Sequence, residues 1–195
     1  GLPLCLNMYE LLPFWHTLFT RLGFEVVVSP FSSRSLYQSG QATIPSDTAC
    51  FPAKLSHGHI HWLCEQGVDA IFYPCMSYNL DEHLGDNHYN CPVVAYYPEV
   101  LEGNCPELNG TRFLYDYFNL ERRKDFYKKF QQSLDKYFPG LDKKAVREAI
   151  DAAYDEYHRH MQQLRDKGSA IIAAARAEGR RIIVLAGRPY HVDPE

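Results

Sequence analysis

The sequence predicts an α/β protein: a three-layer α/β/α sandwich around a mostly parallel sheet, with a helix-rich C-terminal part. Three observations carry this. Apolar runs rich in β-branched and aromatic residues alternate with stretches of helical spacing through the first half of the chain. The runs are continuous rather than alternating, as in strands buried on both faces. The segments between them suit right-handed crossovers between parallel neighbours.

Residues 2–8 read as a short buried strand followed by a polar turn at residues 7–10. Residues 11–22 read as a helix, with Leu12, Trp15, Leu18, Phe19 and Leu22 at helical spacing. Pro13 suits its first turn and Gly23 its end. Residues 24–29 form a second strand stopped by Pro30. A short helix over 32–39 and a polar loop over 41–48 lead to a second full helix over 50–65. Asp47 or Thr48 can cap that helix, and Pro52 suits its first turn. Residues 68–73 are the third strand, 75–90 a polar connection and 92–97 the fourth strand. Residues 102–119 are weakly patterned, with one strand at 111–114. A charged amphipathic helix over 120–138 puts Phe126, Phe130 and Leu134 on one side, and Pro139-Gly140 breaks it. Asp142 then caps a long helix reaching Glu178, with Gly168 a place for a kink. Residues 181–186 form a last strand.

This organisation divides the chain into a Rossmann-like lobe (1–119), a helical segment packing on it or bridging from it (120–180), and the first strand and turn of a second lobe (181–195). The chain begins without Met and ends just past a strand, so the expectation is a piece of a longer protein.

Composition narrows the function classes. Twenty basic and 24 acidic residues read as mixed along the chain, net −4, which points to neither nucleic acid nor an anionic membrane as partner. No apolar run reaches the roughly 18 residues of a membrane span. Fourteen Tyr and 11 Phe predict a ring-rich core. Six cysteines in a chain this long, with no export signal, read as reduced and cytoplasmic, free to bind metal.

Two cysteines have informative addresses. Cys50 falls at the start of the second full helix, where free N–H groups and the positive dipole end favour a thiolate. Cys75, in Tyr73-Pro74-Cys75, follows the third strand, and open α/β sheets gather ligands beyond the carboxyl ends of their strands. The 25 residues between them hold one helix and one strand, so the two sulfurs can meet. Each is equally well read as a small buried residue. Cys91, ahead of the fourth strand, belongs to the opposite edge unless its polar context folds back, and is the third candidate. Lys54, one turn into the Cys50 helix, is placed to offset thiolate charge or meet an anionic group; an ordinary surface lysine fits equally. Cys5 and Cys64 read as core, and Cys105 has no assigned role. His57, His59 and His61 alternate on one helix and so do not converge on one metal; a solvated or hydrogen-bonded helix face is the better reading. No phosphate-binding glycine motif is present, so any ATP site belongs to a domain outside this chain.

Several blocks together carry a resemblance. These are Leu6-Asn7-Met8-Tyr9-Glu10 with Pro13-Phe14-Trp15-His16, then Thr43-Ile44-Pro45-Ser46-Asp47 through Cys50-Phe51-Pro52-Ala53-Lys54 and His57-Gly58-His59. Phe72-Tyr73-Pro74-Cys75, Asn87-His88-Tyr89-Asn90-Cys91-Pro92, and Leu185-Ala186-Gly187-Arg188-Pro189-Tyr190-His191 with Asp193-Pro194-Glu195 complete the set. The chain resembles the activase-related domain of acyl-CoA dehydratase activase proteins, relatives of 2-hydroxyacyl-CoA dehydratase activators and dehydratase subunits. The resemblance implies a cluster held between two lobes, with Cys50 and Cys75 as ligands from this lobe. It implies an iron–sulfur cofactor of the [4Fe-4S] type, electron transfer in an anaerobic dehydratase or reductase system, and an ATPase activator domain and an acyl-CoA substrate as partners. The fragment alone is then expected to be inactive. The rival expectation is a docking or binding domain of a large activase, without metal; a zinc site at the same cysteines is a third.

Overall fold

The computed structural model describes residues 1–191; Asp193, Pro194 and Glu195 of the C-terminal motif lie outside the described residues. Six α-helices run in the order α1 (Leu6–Arg21), α2 (Arg34–Gly40), α3 (Phe51–Glu65), α4 (Pro92–Asn104), α5 (Arg123–Tyr137) and α6 (Lys143–Ala177). Two regular strands, β1 (Ala70–Phe72) and β2 (Arg112–Leu114), pair in parallel with Ile71 opposite Phe113. The fold is thus mixed α/β, mostly helical, with a small parallel sheet rather than a complete sandwich layer.

Extended backbone continues the sheet on the other side of β1. The Phe72 amide donates to the Gly1 carbonyl at 2.9 Å, the Leu2 amide donates to the Val27 carbonyl at 2.8 Å, and Leu2 bridges Val28 in parallel. Past β2, Cys75 bridges Tyr117 in parallel. Four segments therefore lie in the order 26–29, 1–4, 70–75 and 112–117, two of them too short for regular strands. The strand–helix–strand unit read from residues 2–29 is present in this reduced form.

Three expectations change. The helix expected from residue 11 begins at Leu6, because Leu6, Met8, Leu11, Phe14, Trp15 and Leu18 make one buried helical stripe. Pro13 consequently sits in the helix interior, where it removes one i→i−4 bond. The run at 92–97, expected as the fourth strand, is the start of α4: Pro92 occupies its first turn, and Val94, Ala95, Tyr97, Pro98 and Leu101 are buried at helical intervals. A short apolar run cannot be assigned by periodicity alone, and the proline decides it. The strand at 111–114 thereby takes the place beside β1. Residues 181–186 form no regular strand, with Ile183 92% and Leu185 87% exposed.

The core is built of rings. Trp15 lies 4.7 Å from Phe72, and Phe14 packs edge-on against Tyr154 of α6 at 4.9 Å between centroids. Phe118, Phe126 and Phe130 close the cluster. Each such side chain contributes about 1.5–3 kcal/mol on burial. Tyr154 also donates to the Leu120 carbonyl at 2.6 Å, fixing α6 against the body. Gly168 leaves α6 uninterrupted. None of the described helices is long and apolar enough to cross a membrane.

Candidate functional site

Helices α3 and α4 start alike. Cys50 is the N-cap residue of α3 and Cys91 that of α4, each with extended backbone (ψ 150° and 140°) and a proline in the first turn. Neither helix has a side-chain cap hydrogen bond. Both thiols are exposed. The uncapped first-turn N–H groups leave the positive end of each helix beside a sulfur.

The two helices are linked side by side, with His57 Nε2 3.0 Å from the Tyr97 hydroxyl. His57 lies seven residues past Cys50 and Tyr97 six past Cys91, so each N-cap is about 10 Å along its axis from this link. Tyr190, on a short turn (Pro189–His191), lies near both starts. Burial raises its phenol pKa, Arg188 opposes the rise, and negative charge on Cys91 and Cys50 adds to it, so both thiols lie within electrostatic reach of one ring. Tyr190 borders a small cavity of about 10 Å³ with Leu4, Cys5, Tyr9, Pro52 and Leu55, tying the turn to the starts of α1 and α3.

Cys75 has a different setting. It is fully buried, and its amide donates to the Asp116 carbonyl at 3.1 Å while its carbonyl accepts from Phe118 at 3.0 Å. Burial, and then the Glu99 carboxylate, push its thiol up to about 12. The backbone beside it is nevertheless stitched to the start of α4. Met76 N–H donates to the Ala95 carbonyl at 3.1 Å, and the Asn90 side-chain amide donates to the Met76 carbonyl at 2.9 Å. Cys91, expected at the far edge, thus starts a helix whose first turn is bonded to the chain just past Cys75. Cys50 and Cys91 are both open thiols within reach of Tyr190; Cys75 adjoins the Cys91 side with its thiol packed away from solvent.

Lys54 turns back along its own helix start: its ammonium donates to the Asp47 carbonyl at 2.8 Å and lies 3.9 Å from the Asp47 carboxylate. It braces the 46–49 loop that leads into Cys50. The histidines stay apart, but two of them are core rather than solvated. The Thr43 hydroxyl donates to the Gly40 carbonyl, so it accepts from His57 Nδ1–H at 2.8 Å, which leaves His57 Nε2 to accept from Tyr97. His59 sits between Ser29 (2.7 Å) and Ser32 (3.1 Å), and Ser29 also accepts the Leu4 amide. Burial lowers both imidazoles to about 4. His61 lies between Glu65 and Glu107 at 3.4 and 3.3 Å.

As a cluster site, the donor chemistry fits for the Cys50 and Cys91 pair: two unpaired thiols, each at an uncapped helix start. The protein as described does not assemble a closed cage, since no group of three or more His, Cys, Asp or Glu side chains among the described residues is placed to hold a metal ion. Sequence reasoning missed the pairing of Cys50 with Cys91. Its signal was present, a cysteine with proline one or two residues on in both Cys50-Phe51-Pro52 and Cys91-Pro92, but reading 92–97 as a strand hid it. Tyr190 had no such signal.

Comparison with curated proteins finds no match, and comparison with solved structures finds none either. The family model described as the CoA enzyme activase uncharacterised domain matches residues 1–195. With its whole length matched, the chain belongs to the CoA enzyme activase uncharacterised domain family.

Proposed function

We propose that this domain supplies thiolate ligands to an iron–sulfur cluster, of the [4Fe-4S] type, in an electron-transfer role beside an ATP-driven activase. The observation that carries the reading is the pair of exposed cysteines, Cys50 and Cys91, each capping a proline-initiated helix. Such a cluster would supply reversible one-electron storage. The chain's own part is to hold it: Cys50 and Cys91 as open donors, the two helix starts as positive ends facing an anionic group, and Lys54 holding the loop before Cys50. Cys75 is the inner ligand, and its high thiol pKa means that loading must include loss of that proton to a metal. The parallel run of four extended segments supports kinship with an α/β sandwich, whose ligand end lies past Cys75 and the start of α4.

Anaerobic incubation with iron and sulfide tests this. The wild-type chain is expected to take up iron and develop charge-transfer absorbance. Cys50→Ser with Cys91→Ser is expected to lose most of both, and Cys75→Ser to weaken retention. Full iron uptake by the double variant, or none by the wild type, would sink the reading.

One observation favours a second reading, docking without metal onto the ATPase part of an activase. Leu164, Ile171 and Ile172 on α6, and Ile183, Val184 and Leu185 after it, present apolar side chains to solvent. Iron-free wild type that still binds the ATPase part would establish it.

A further inference from the structure

The charge of this chain is segregated rather than mixed. Residues 122–147 hold nine of the 20 basic residues and only three of the 24 acidic ones, a local charge of +6 on a chain whose remainder carries −10. Helices α5 and α6 fold that stretch into a hairpin, and a groove of about 470 Å³ runs between them. Lys124 and Lys128 stand on the α5 side, and Lys143 and Arg147 on the α6 side, each pair four residues apart and so on one helix face. Val146 and Ile150 form a buried floor, and the Arg147 guanidinium lies 4.8 Å from the centre of the Tyr127 ring.

These four cations are not spent on ion pairs. Arg123, Lys136 and Lys144 nearby are paired with Asp151, Asp116 and Glu148. Among the described residues, none of the groove's four cations has a carboxylate within ion-pair distance, and Asp135 is the one acidic residue lining it. Two pairs of like charge facing across a concave apolar floor repel one another when the groove is empty, and a multiply charged anion between them relieves that cost.

We propose that the α5–α6 groove is a binding site for a small ligand bearing adjacent phosphate groups, clamped by Lys124, Lys128, Lys143 and Arg147. The groove's size fits a small molecule rather than a polymer, and its floor of Tyr127, Val146 and Ile150 suits an apolar or planar body attached to the phosphates. The site involves none of the cysteines, so it stands apart from the metal reading.

The test is titration of the 195-residue chain with inorganic pyrophosphate, followed by amide chemical shifts and calorimetry. Saturable one-to-one binding is expected, with shifts confined to residues 124–150 and affinity falling as salt rises. Lys128→Glu with Arg147→Glu is expected to weaken binding at least about tenfold, or 1.4 kcal/mol. Arg122→Glu with Lys129→Glu, the same charge change outside the groove, is expected to leave it within about twofold. All four are exposed, so unchanged thermal unfolding shows that the variants fold. No saturation by about 10 mM, equal loss in both double variants, or an oligonucleotide that binds where pyrophosphate does not would overturn the proposal.

Discussion

At the scale of single residues, the buried imidazoles set the acid limit of this fold. His59 is held neutral between Ser29 and Ser32, and His57 between Thr43 and Tyr97, each with its pKa lowered by burial to about 4 against 6.5 for an exposed imidazole. A group whose folded pKa is depressed stabilises the fold in full above the unfolded value. That contribution is lost as pH falls from about 6.5 through about 4, when the buried ring must take a proton. A shift of this size corresponds to roughly 3 kcal/mol per histidine at full titration. Denaturant unfolding at pH 7 and pH 4.5 should therefore show a clear fall in midpoint, smaller in His59→Gln. Midpoints that do not differ would show that these rings titrate as freely in the fold as outside it. The same two histidines show what a residue list hides. Their spacing ruled out a shared metal, because positions two apart on a helix diverge. It did not show that both point into protein rather than water, since that depends on Ser29, Ser32 and Thr43 arriving from other segments.

At the scale of elements, the crossing of α2 and α3 is the tightest contact in the molecule that a sequence change can probe. A Cβ built on Gly58 would sit 2.0 Å from the Leu36 carbonyl oxygen, and one on Gly40 would sit 2.2 Å from the Gly58 nitrogen. Backbone meets backbone there, so no side chain can swing aside. Gly58→Ala is expected to cost about 3 kcal/mol or more, above the gain in helix propensity of about 1 kcal/mol that alanine brings. Urea unfolding measures it, and a stabilised variant would mean that the helices do not touch. Gly58 lies one turn past Lys54 on the helix that Cys50 starts, so the crossing also sets where that thiol stands. Among the elements, α3 was legible because Cys50-Phe51-Pro52 and a closing Gly67 bracket it. The run at 92–97 was misread because its β-branched residues favour strands while Pro92 suits a helix start, and propensity alone does not weigh one against the other; Pro98 is accommodated inside α4. With α4 mistaken for a strand, Cys91 fell on the wrong edge and its likeness to Cys50 went unseen.

At the scale of the whole molecule, the structure divides into a ring-packed body and an arm. Helix α6 is about 52 Å long, yet its last buried residue is Tyr157. Met161 still packs against the core and Arg165 still pairs with Glu82 at 3.8 Å; beyond that, all but a few side chains face water. A helix without tertiary contacts is held only by its own marginal propagation, so it opens locally at low cost. Brief trypsin digestion should cut first at Lys167, Arg176, Arg180 or Arg181 and leave a resistant body ending near Arg165. Early cleavage in α3 or α5 instead would contradict this division.

The sequence by itself determined the α/β class, the ring-rich core, the helices α3, α5 and α6, and the family, since these rest on spacing, capping residues and motif sets that are local in the chain. Only the tertiary structure decided which cysteines share an end, how deeply Cys75 and the histidines are buried, and that four basic residues line one groove. Those facts depend on segments distant in sequence arriving together, and neither periodicity nor composition carries the angle between two helices or the side from which a neighbour covers a thiol.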